Sequence, residues 1–231
     1  MLPKNTDTLS SLLGYSFTNN DLLFQAFRHP SYVYEKGDPG ISDNQRLEFL
    51  GDSVINLAVS DLLMESFPEM KEGELSKHRA FLVSENGLYR IALVLELGDY
   101  LLLGKGEERT KGRGKPSILA DAFEALMGAI YLDGGFPNAF LVITRLFKSL
   151  LKEIGSGEPN MDFKTELQEL AQKVFQTPPE YRVTKDTGPD HDKTFFVEVY
   201  IKGNMFGEGT GKSKKEAEQH AAKEALSCLK A

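Results

Sequence analysis

Two apolar runs in this chain each carry a pair of carboxylates about one helical turn apart, and any fold must find a place for them. In the first, Leu47-Glu48-Phe49-Leu50-Gly51-Asp52-Ser53-Val54-Ile55-Asn56-Leu57-Ala58-Val59, the apolar spacing predicts a helix with a buried face. Glu48 and Asp52 stand at i and i+4, on one side of that helix and about 5.4 Å apart along it. The second run covers residues 117–132, where Asp121 and Glu124, at i and i+3, are the only charges. Like charges at these spacings repel, and a half-buried carboxylate costs on the order of several kcal/mol unless it is paired or metal-bound. Arg46 is one candidate partner, and a divalent cation is the other. If the two helices pack their acidic pairs together, four carboxylates share a cleft and cannot all stay ionised without cations. Hard ions with oxygen ligands suit such a cluster, Mg²⁺ above all and Mn²⁺ as its substitute. The chemistry that follows is attack of metal-activated water on a phosphodiester.

Elsewhere the chain excludes several classes. The start lacks an apolar signal segment, and no run of eighteen apolar residues predicts a membrane span. Cys228 is the only cysteine, so no intrachain disulfide forms, which fits a reducing cytoplasm. No Cys/His cluster suggests zinc. Gly114-Lys115 is followed by Pro116, and Gly211-Lys212-Ser213 has Phe206 where a P-loop needs glycine, so no nucleotide cradle or other small-molecule cofactor is expected. Net charge is −7, with 22 acids and 16 bases in residues 1–160 and 12 acids and 11 bases in residues 161–231. Neither part is broadly basic, so nucleic-acid binding would rest on local patches.

The composition breaks at Gly155-Ser156-Gly157-Glu158-Pro159-Asn160, which reads as a flexible linker between a helical domain, 1–154, and a second domain, 161–231. Residues 7–33 read as two short helices, the first residues of the second capped by Asn20 and its end at His29-Pro30-Ser31-Tyr32. Ser42 or Asp43 caps the helix of the first acidic pair, which runs to about Glu65. Glu72-Gly73-Glu74-Leu75-Ser76-Lys77 opens the next helix, and residues 84–97 form another that ends at Gly98. Residues 104–115, Gly-rich with five bases and two acids, read as a mobile loop, either solvated or in contact with a nucleic-acid backbone. Gly134-Gly135-Phe136-Pro137 then separates the second acidic helix from a last one, 138 to about 154. Beyond the linker the order is α-β-β-β-α. Asp162 caps a helix from 163 to about 175, strands follow at 181–184, 194–201 and a short 204–207, and an alanine-rich helix covers 213–229. Lys212, Lys214 and Lys215 stand at the start of that last helix, where cations oppose the macrodipole. They mark an anion site or a solvated charge run.

These motifs resemble a known family. Gln45-Arg46-Leu47-Glu48-Phe49-Leu50-Gly51-Asp52 is similar at seven of eight positions to the signature Glu-Arg-Leu-Glu-Phe-Leu-Gly-Asp of bacterial ribonuclease III. Asp121-Ala122-Phe123-Glu124-Ala125-Leu126 resembles the family's second acidic motif. Lys214-Lys215-Glu216-Ala217-Glu218-Gln219-His220-Ala221-Ala222-Lys223-Glu224-Ala225-Leu226 resembles the last helix of the double-stranded RNA-binding domain. The resemblance extends from Leu13 to the C-terminus.

It implies an all-helical catalytic domain followed by a small RNA-binding domain, acting together as a Mg²⁺-dependent endonuclease on double-stranded RNA. The products would carry 5′ phosphates and short 3′ overhangs, and the substrates would include ribosomal RNA precursors and other structured RNAs. Glu48, Asp52, Asp121 and Glu124 would hold the metal, with Asp52 and Glu124 indispensable to the chemistry. One site cuts one strand, so the resemblance implies a homodimer, with Phe49 plugging a pocket on the partner or else packing within its own subunit. Glu74 would help organise the acidic site from behind, or simply favour the start of its helix. His29 matches a family histidine that is not a ligand. Gln168 and Glu169 would face one minor groove, the Gly188-Pro189-Asp190-His191 loop would enter the next, and Lys212, Lys214 and Lys215 would hold the phosphates between them. Gln45 departs from the family's usual glutamate, which puts substrate positioning in doubt but leaves the four carboxylates intact. A duplex-RNA-binding regulator without cleavage is the competing class, and the intact acidic set weighs against it.

Overall fold

A computed structural model describes residues 4–155, 163–189 and 193–230. The chain divides into two compact units, Met1–Pro159 and Asn160–Ala231.

The first unit is helical: α1 (Thr6–Leu13), α2 (Asn20–Ala26), α3 (Pro30–Lys36), α4 (Gln45–Ser66), α5 (Glu72–Leu82), α6 (Glu85–Val94), α7 (Lys105–Arg109) and α8 (Pro116–Gly155). Its spine is α4 packed along α8. On α4 the buried residues Leu47, Gly51, Val54, Ile55, Ala58, Val59, Leu62 and Leu63 recur every three or four positions, so one stripe faces inward. On α8 nearly every residue from Ile118 to Ile130 is buried, because neighbours cover it on several sides. By length and composition alone α8 could cross a membrane, a test that a buried core helix also passes.

Two glycines set how closely the spine helices approach. A methyl carbon on Gly51 would fall 1.8 Å from the carbonyl oxygen of Glu124, and one on Gly128 would fall 2.2 Å from that of Leu47. The helices therefore touch backbone to backbone, one residue before Asp52 on one side and at Glu124 on the other.

Two expectations change here and one holds. His29 opens a third helix rather than ending the second: its Nδ1 caps α3 by accepting from Ser31 N–H at 3.2 Å, and Pro30 occupies the first turn, where proline is well tolerated. The break expected at residues 134–137 holds: within α8 the chain kinks at Gly135, whose φ of 75° and ψ of 173° suit glycine alone, and the last helix starts anew beyond it. Residues 104–115 are folded, with α7 and a 3-10 turn at Gly112–Gly114. Asp133 ties α8 to the N-terminal helices by accepting from Tyr15 OH (2.6 Å), Thr18 N–H (2.8 Å) and Asn19 N–H (2.8 Å).

The second unit is α9 (Phe163–Phe175), β1 (Glu180–Thr187), β2 (Thr194–Ile201), β3 (Asn204–Gly211) and α10 (Lys214–Lys230). The strands form an antiparallel sheet in the order β1-β2-β3, with a bulge in β1 between Val183 and Lys185. β1 and β3 are longer than the sequence suggests. Glycine-rich stretches read as breaks, yet Gly207, Gly209 and Gly211 all sit on the face of β3 that meets α10. Methyl carbons there would fall within 2.6 Å of the backbone at Ala221, Ala221 again and Ala217, respectively. Ala217, Ala221 and Ala225, spaced every four residues, present the matching flat face of α10. Glycine in a strand is weak by propensity, but here helix packing decides. Ser213 caps α10 by accepting from Glu216 N–H at 3.2 Å.

Candidate active site

The close approach of α4 and α8 brings both acidic motifs to one place. Glu48, Asp121 and Glu124 each offer a carboxylate oxygen, and these oxygens lie within 4.8 Å of one another. All three side chains are partly buried. Burial pushes the Glu124 carboxyl up to about 8, helped by the charges of Asp52, Asp121 and Glu48. Glu48 is raised by burial and then by Asp121 and Asp43. Asp121 is raised by burial, with Glu85 adding to the shift and His29 opposing it. Among the described residues no lysine or arginine is among the charges acting on these three carboxyls, and Arg46 is exposed on α4. Pairing with bases therefore does not account for the cluster. A set of hard oxygen donors with uncompensated like charge fits a divalent cation.

Asp52 stands outside the tight set. It is exposed, and its Oδ1 accepts from Asn56 Nδ2 at 2.8 Å, although its charge still reaches Glu124. Gln45 is the exposed first residue of α4; the N-cap is Asn44 rather than Ser42 or Asp43 and its side chain makes no cap, while Asp43 Oδ1 accepts from Gln45 N–H at 3.1 Å. Glu74 is exposed in the first turn of α5, where its Oε2 accepts from Lys71 N–H at 3.1 Å, and it is not part of the close acidic set. Phe49, beside Glu48, is 79% exposed and so does not pack within its own subunit.

In the second unit, Gln168 and Glu169 are exposed on α9, and Lys214 and Lys215 are exposed in the first turn of α10. Lys212 lies just before that turn, where its N–H donates to Glu216 Oε2 at 2.6 Å. His191 lies outside the described residues, as does Asp162.

Residues 19–150 match the model of a family described as Ribonuclease-III-like, and residues 163–229 match the double-stranded RNA binding motif. "Ribonuclease 3" of Pelotomaculum thermopropionicum is 50% identical over 97% of this chain and 95% of its own. "Ribonuclease 3" of Myxococcus xanthus is 48% identical over 96% of this chain and 85% of its own. The chain belongs to the ribonuclease III family. Among solved structures, the nuclease domain of ribonuclease III from Campylobacter jejuni matches with a TM-score of 0.58 and 42% identity, over 63% of this chain and 97% of that one. That structure is described as flexible in a region involved in dimer formation.

Within this member of the ribonuclease III family, several residues matter to the site that motif reading passed over. Gly51 and Gly128 are the contact point of the two acidic helices, and their signal was an isolated glycine inside each apolar run. Asn44 is only 2% exposed; its N–H donates to Arg28 O (2.9 Å) and its Nδ2 to Ala26 O (3.3 Å), which anchors the start of α4. No local pattern marked it, because both partners lie on another element.

Proposed function

We propose that the protein is a Mg²⁺-dependent endoribonuclease that cleaves double-stranded RNA, with Mn²⁺ as a working substitute. The observation that carries this reading is the convergence of Glu48, Asp121 and Glu124 within 4.8 Å, with Glu124 driven up to about 8 by burial and like charge. Held by these oxygens, a divalent ion such as Mg²⁺ would supply Lewis-acid stabilisation and a water of lowered pKa. Glu48, Asp121 and Glu124 present the ligand oxygens, and Asp52, oriented by Asn56, completes the set from the next turn of α4. Asp52 and Glu124 are the carboxylates without which hydrolysis stops. The partly buried setting of the cluster limits water around the reacting phosphate and strengthens each charge interaction.

The exposed Phe49 supports a homodimer in which this ring enters a pocket on the partner and each subunit cuts one strand. The products are 5′ phosphates with short 3′ overhangs. Residues 1–154 form the endonuclease domain, 155–160 the linker and 161–231 the RNA-binding domain. In the latter, Gln168, Glu169 and His191 meet minor grooves, and Lys212, Lys214 and Lys215 meet the phosphates between them, a readout of A-form shape with little sequence content. Glu74 and Gln45 support the acidic site from its margin. The cellular setting is the cytoplasm, and the substrates are ribosomal RNA precursors and other structured transcripts.

The test is cleavage of a long perfect RNA duplex by the purified protein in Mg²⁺ and in EDTA, with the product ends mapped. Cutting of both strands in Mg²⁺, abolished in Glu124→Gln while duplex binding survives, is the expected result. Duplex binding without cutting in either Mg²⁺ or Mn²⁺ would overturn the reading and leave a binding protein.

A further inference from the structure

Residues 104–115 lead straight into the helix of Asp121 and Glu124, and they are tied to the fold at Gly104 and Lys105 and again at Arg113. Gly104 N–H donates to Ser31 Oγ at 3.0 Å, and Ser31 Oγ lies 2.8 Å from His29 Nδ1. That Nδ1 also accepts from Ser31 N–H, so the neutral ring carries its proton on Nε2, and the Ser31 hydroxyl gives its hydrogen to Nδ1 while taking that of Gly104. Burial holds His29 below its ordinary pKa against the opposing pull of Glu107 and Asp121, which favours the neutral ring. The approach is close: a methyl carbon on Gly104 would fall 2.6 Å from Ser31 O. Just upstream, His29 N–H donates to Leu102 O (3.1 Å) and Leu102 N–H to Phe27 O (2.8 Å); just downstream, Lys105 N–H donates to Glu35 Oε2 (2.6 Å).

The bases of this segment divide into two groups. Arg113 turns inward to Glu108 and to Gly98 O (2.8 Å), and Lys115 turns to Glu107 and to Thr110 Oγ1 (2.9 Å). Lys105 pairs with Glu35 at 3.4 Å yet stays 84% exposed, and Arg109 and Lys111 are exposed. None of these three is among the charges acting on Glu48, Asp121 or Glu124. Three outward bases on a folded, pinned segment beside an acidic cleft suit a polyanion that must be held next to carboxylates that repel it.

We propose that the relay Gly104–Ser31–His29 is a positioning device for duplex RNA, which sets Lys105, Arg109 and Lys111 against phosphates flanking the acidic cluster. The proposal rests on the reading of the protein as a duplex-RNA endonuclease. Ser31 and His29 are positioning residues: they act through the segment, on substrate capture rather than on hydrolysis.

The experiment is steady-state cleavage of a labelled RNA duplex by the full chain in saturating Mg²⁺, across a salt series. The proteins are the wild type, Ser31→Ala, Ser31→Thr, and the triple variant K105A/R109A/K111A with and without Ser31→Ala. Ser31→Ala raises KM about tenfold, the equivalent of about 1.4 kcal/mol, with kcat retained. The slope of log(kcat/KM) against log salt becomes shallower by about 0.9 for each phosphate no longer neutralised, the value for B-form duplex. Ser31→Thr keeps the hydroxyl and the wild-type KM. In the triple-alanine background Ser31→Ala has no further effect on KM, because both changes act on the same phosphates. An equal KM effect in both backgrounds, an unchanged salt slope, or a fall in kcat with KM intact overturns the proposal. If Ser31→Ala melts below the assay temperature, Ser31→Cys replaces it with the same expectations, since a thiol fills the space but accepts weakly. Failure of the wild type to cut at all refutes the endonuclease reading instead, so the two failures are distinguishable.

Discussion

Gly51→Ala is the sharpest probe of how the acidic site is built. The new methyl carbon would lie 1.8 Å from the Glu124 carbonyl oxygen, 2.6 Å from its carbon and 3.0 Å from Gly128 N. Carbon and oxygen tolerate each other at about 3.3 Å, so α4 and α8 must part by roughly 1.5 Å at this point. The obstacle is backbone, which cannot swing aside. By helix propensity alone alanine gains about 1 kcal/mol over glycine, while overpacking costs about 1–3 kcal/mol, so the net loss of stability is about 0–2 kcal/mol. The site suffers more than the fold. Ligand oxygens need placement within about 0.5 Å, and a misplacement of about 1 Å costs on the order of a hundredfold in rate. Single-turnover cleavage in saturating Mg²⁺ is therefore expected to fall at least about a hundredfold, with the thermal midpoint only a few degrees lower. A variant that melts like the wild type and cuts within a few-fold of its rate would refute the argument that the glycine contact sets the geometry. Gly128→Ala, 2.2 Å from Leu47 O, tests the same contact from the other helix.

Further expectations follow from particular residues. Folded Glu124 keeps its proton up to about 8 whereas an unfolded glutamate releases it near 4.5, so between those values the folded state binds more protons and metal-free stability falls as pH rises. Denaturant titrations in EDTA across that range check the sign, and Glu124→Gln weakens the dependence (Glu48 and Asp121, also raised, keep part of it), stabilises the metal-free protein and loses the gain from Mg²⁺. Burial pushes Asp133 up, but its hydrogen bonds from Tyr15, Thr18 and Asn19 outweigh that and leave it below its ordinary pKa, so its contribution is lost on acidification through the folded value. Asp133→Asn is expected to cost about 1–3 kcal/mol in urea unfolding with cleavage intact at low temperature. Gly209→Ala would set a methyl carbon 2.2 Å from Ala221 N; it should unfold the second unit, seen as lost duplex affinity with the first unit's melting unchanged. Phe49→Asp removes an exposed ring and should shift sedimentation toward monomer. Wild-type sedimentation in that variant would contradict the interface role.

Much of this protein was legible in the chain because the signals are local. Apolar periodicity with acids at i, i+3 and i+4 marked α4 and the start of α8, and alternation marked β2 at residues 194–201. The cap of α3 was also local, since His29-Pro30 stands where a helix begins, but it was read as an ending. Other features were not local at all. The segment 104–115 has a loop's composition, yet it folds because Gly104, Lys105 and Arg113 find partners outside it at Ser31, Glu35 and Gly98. β3 continues through three glycines because α10 presents alanines to them. The sequence by itself determined which carboxylates share a helix face and that their charge needs an answer. Only the tertiary structure decided that Glu48, Asp121 and Glu124 close to within 4.8 Å while Asp52 stands apart. That distance is set by backbone contact at Gly51 and Gly128, a steric fact between residues far apart in the chain that no local pattern encodes.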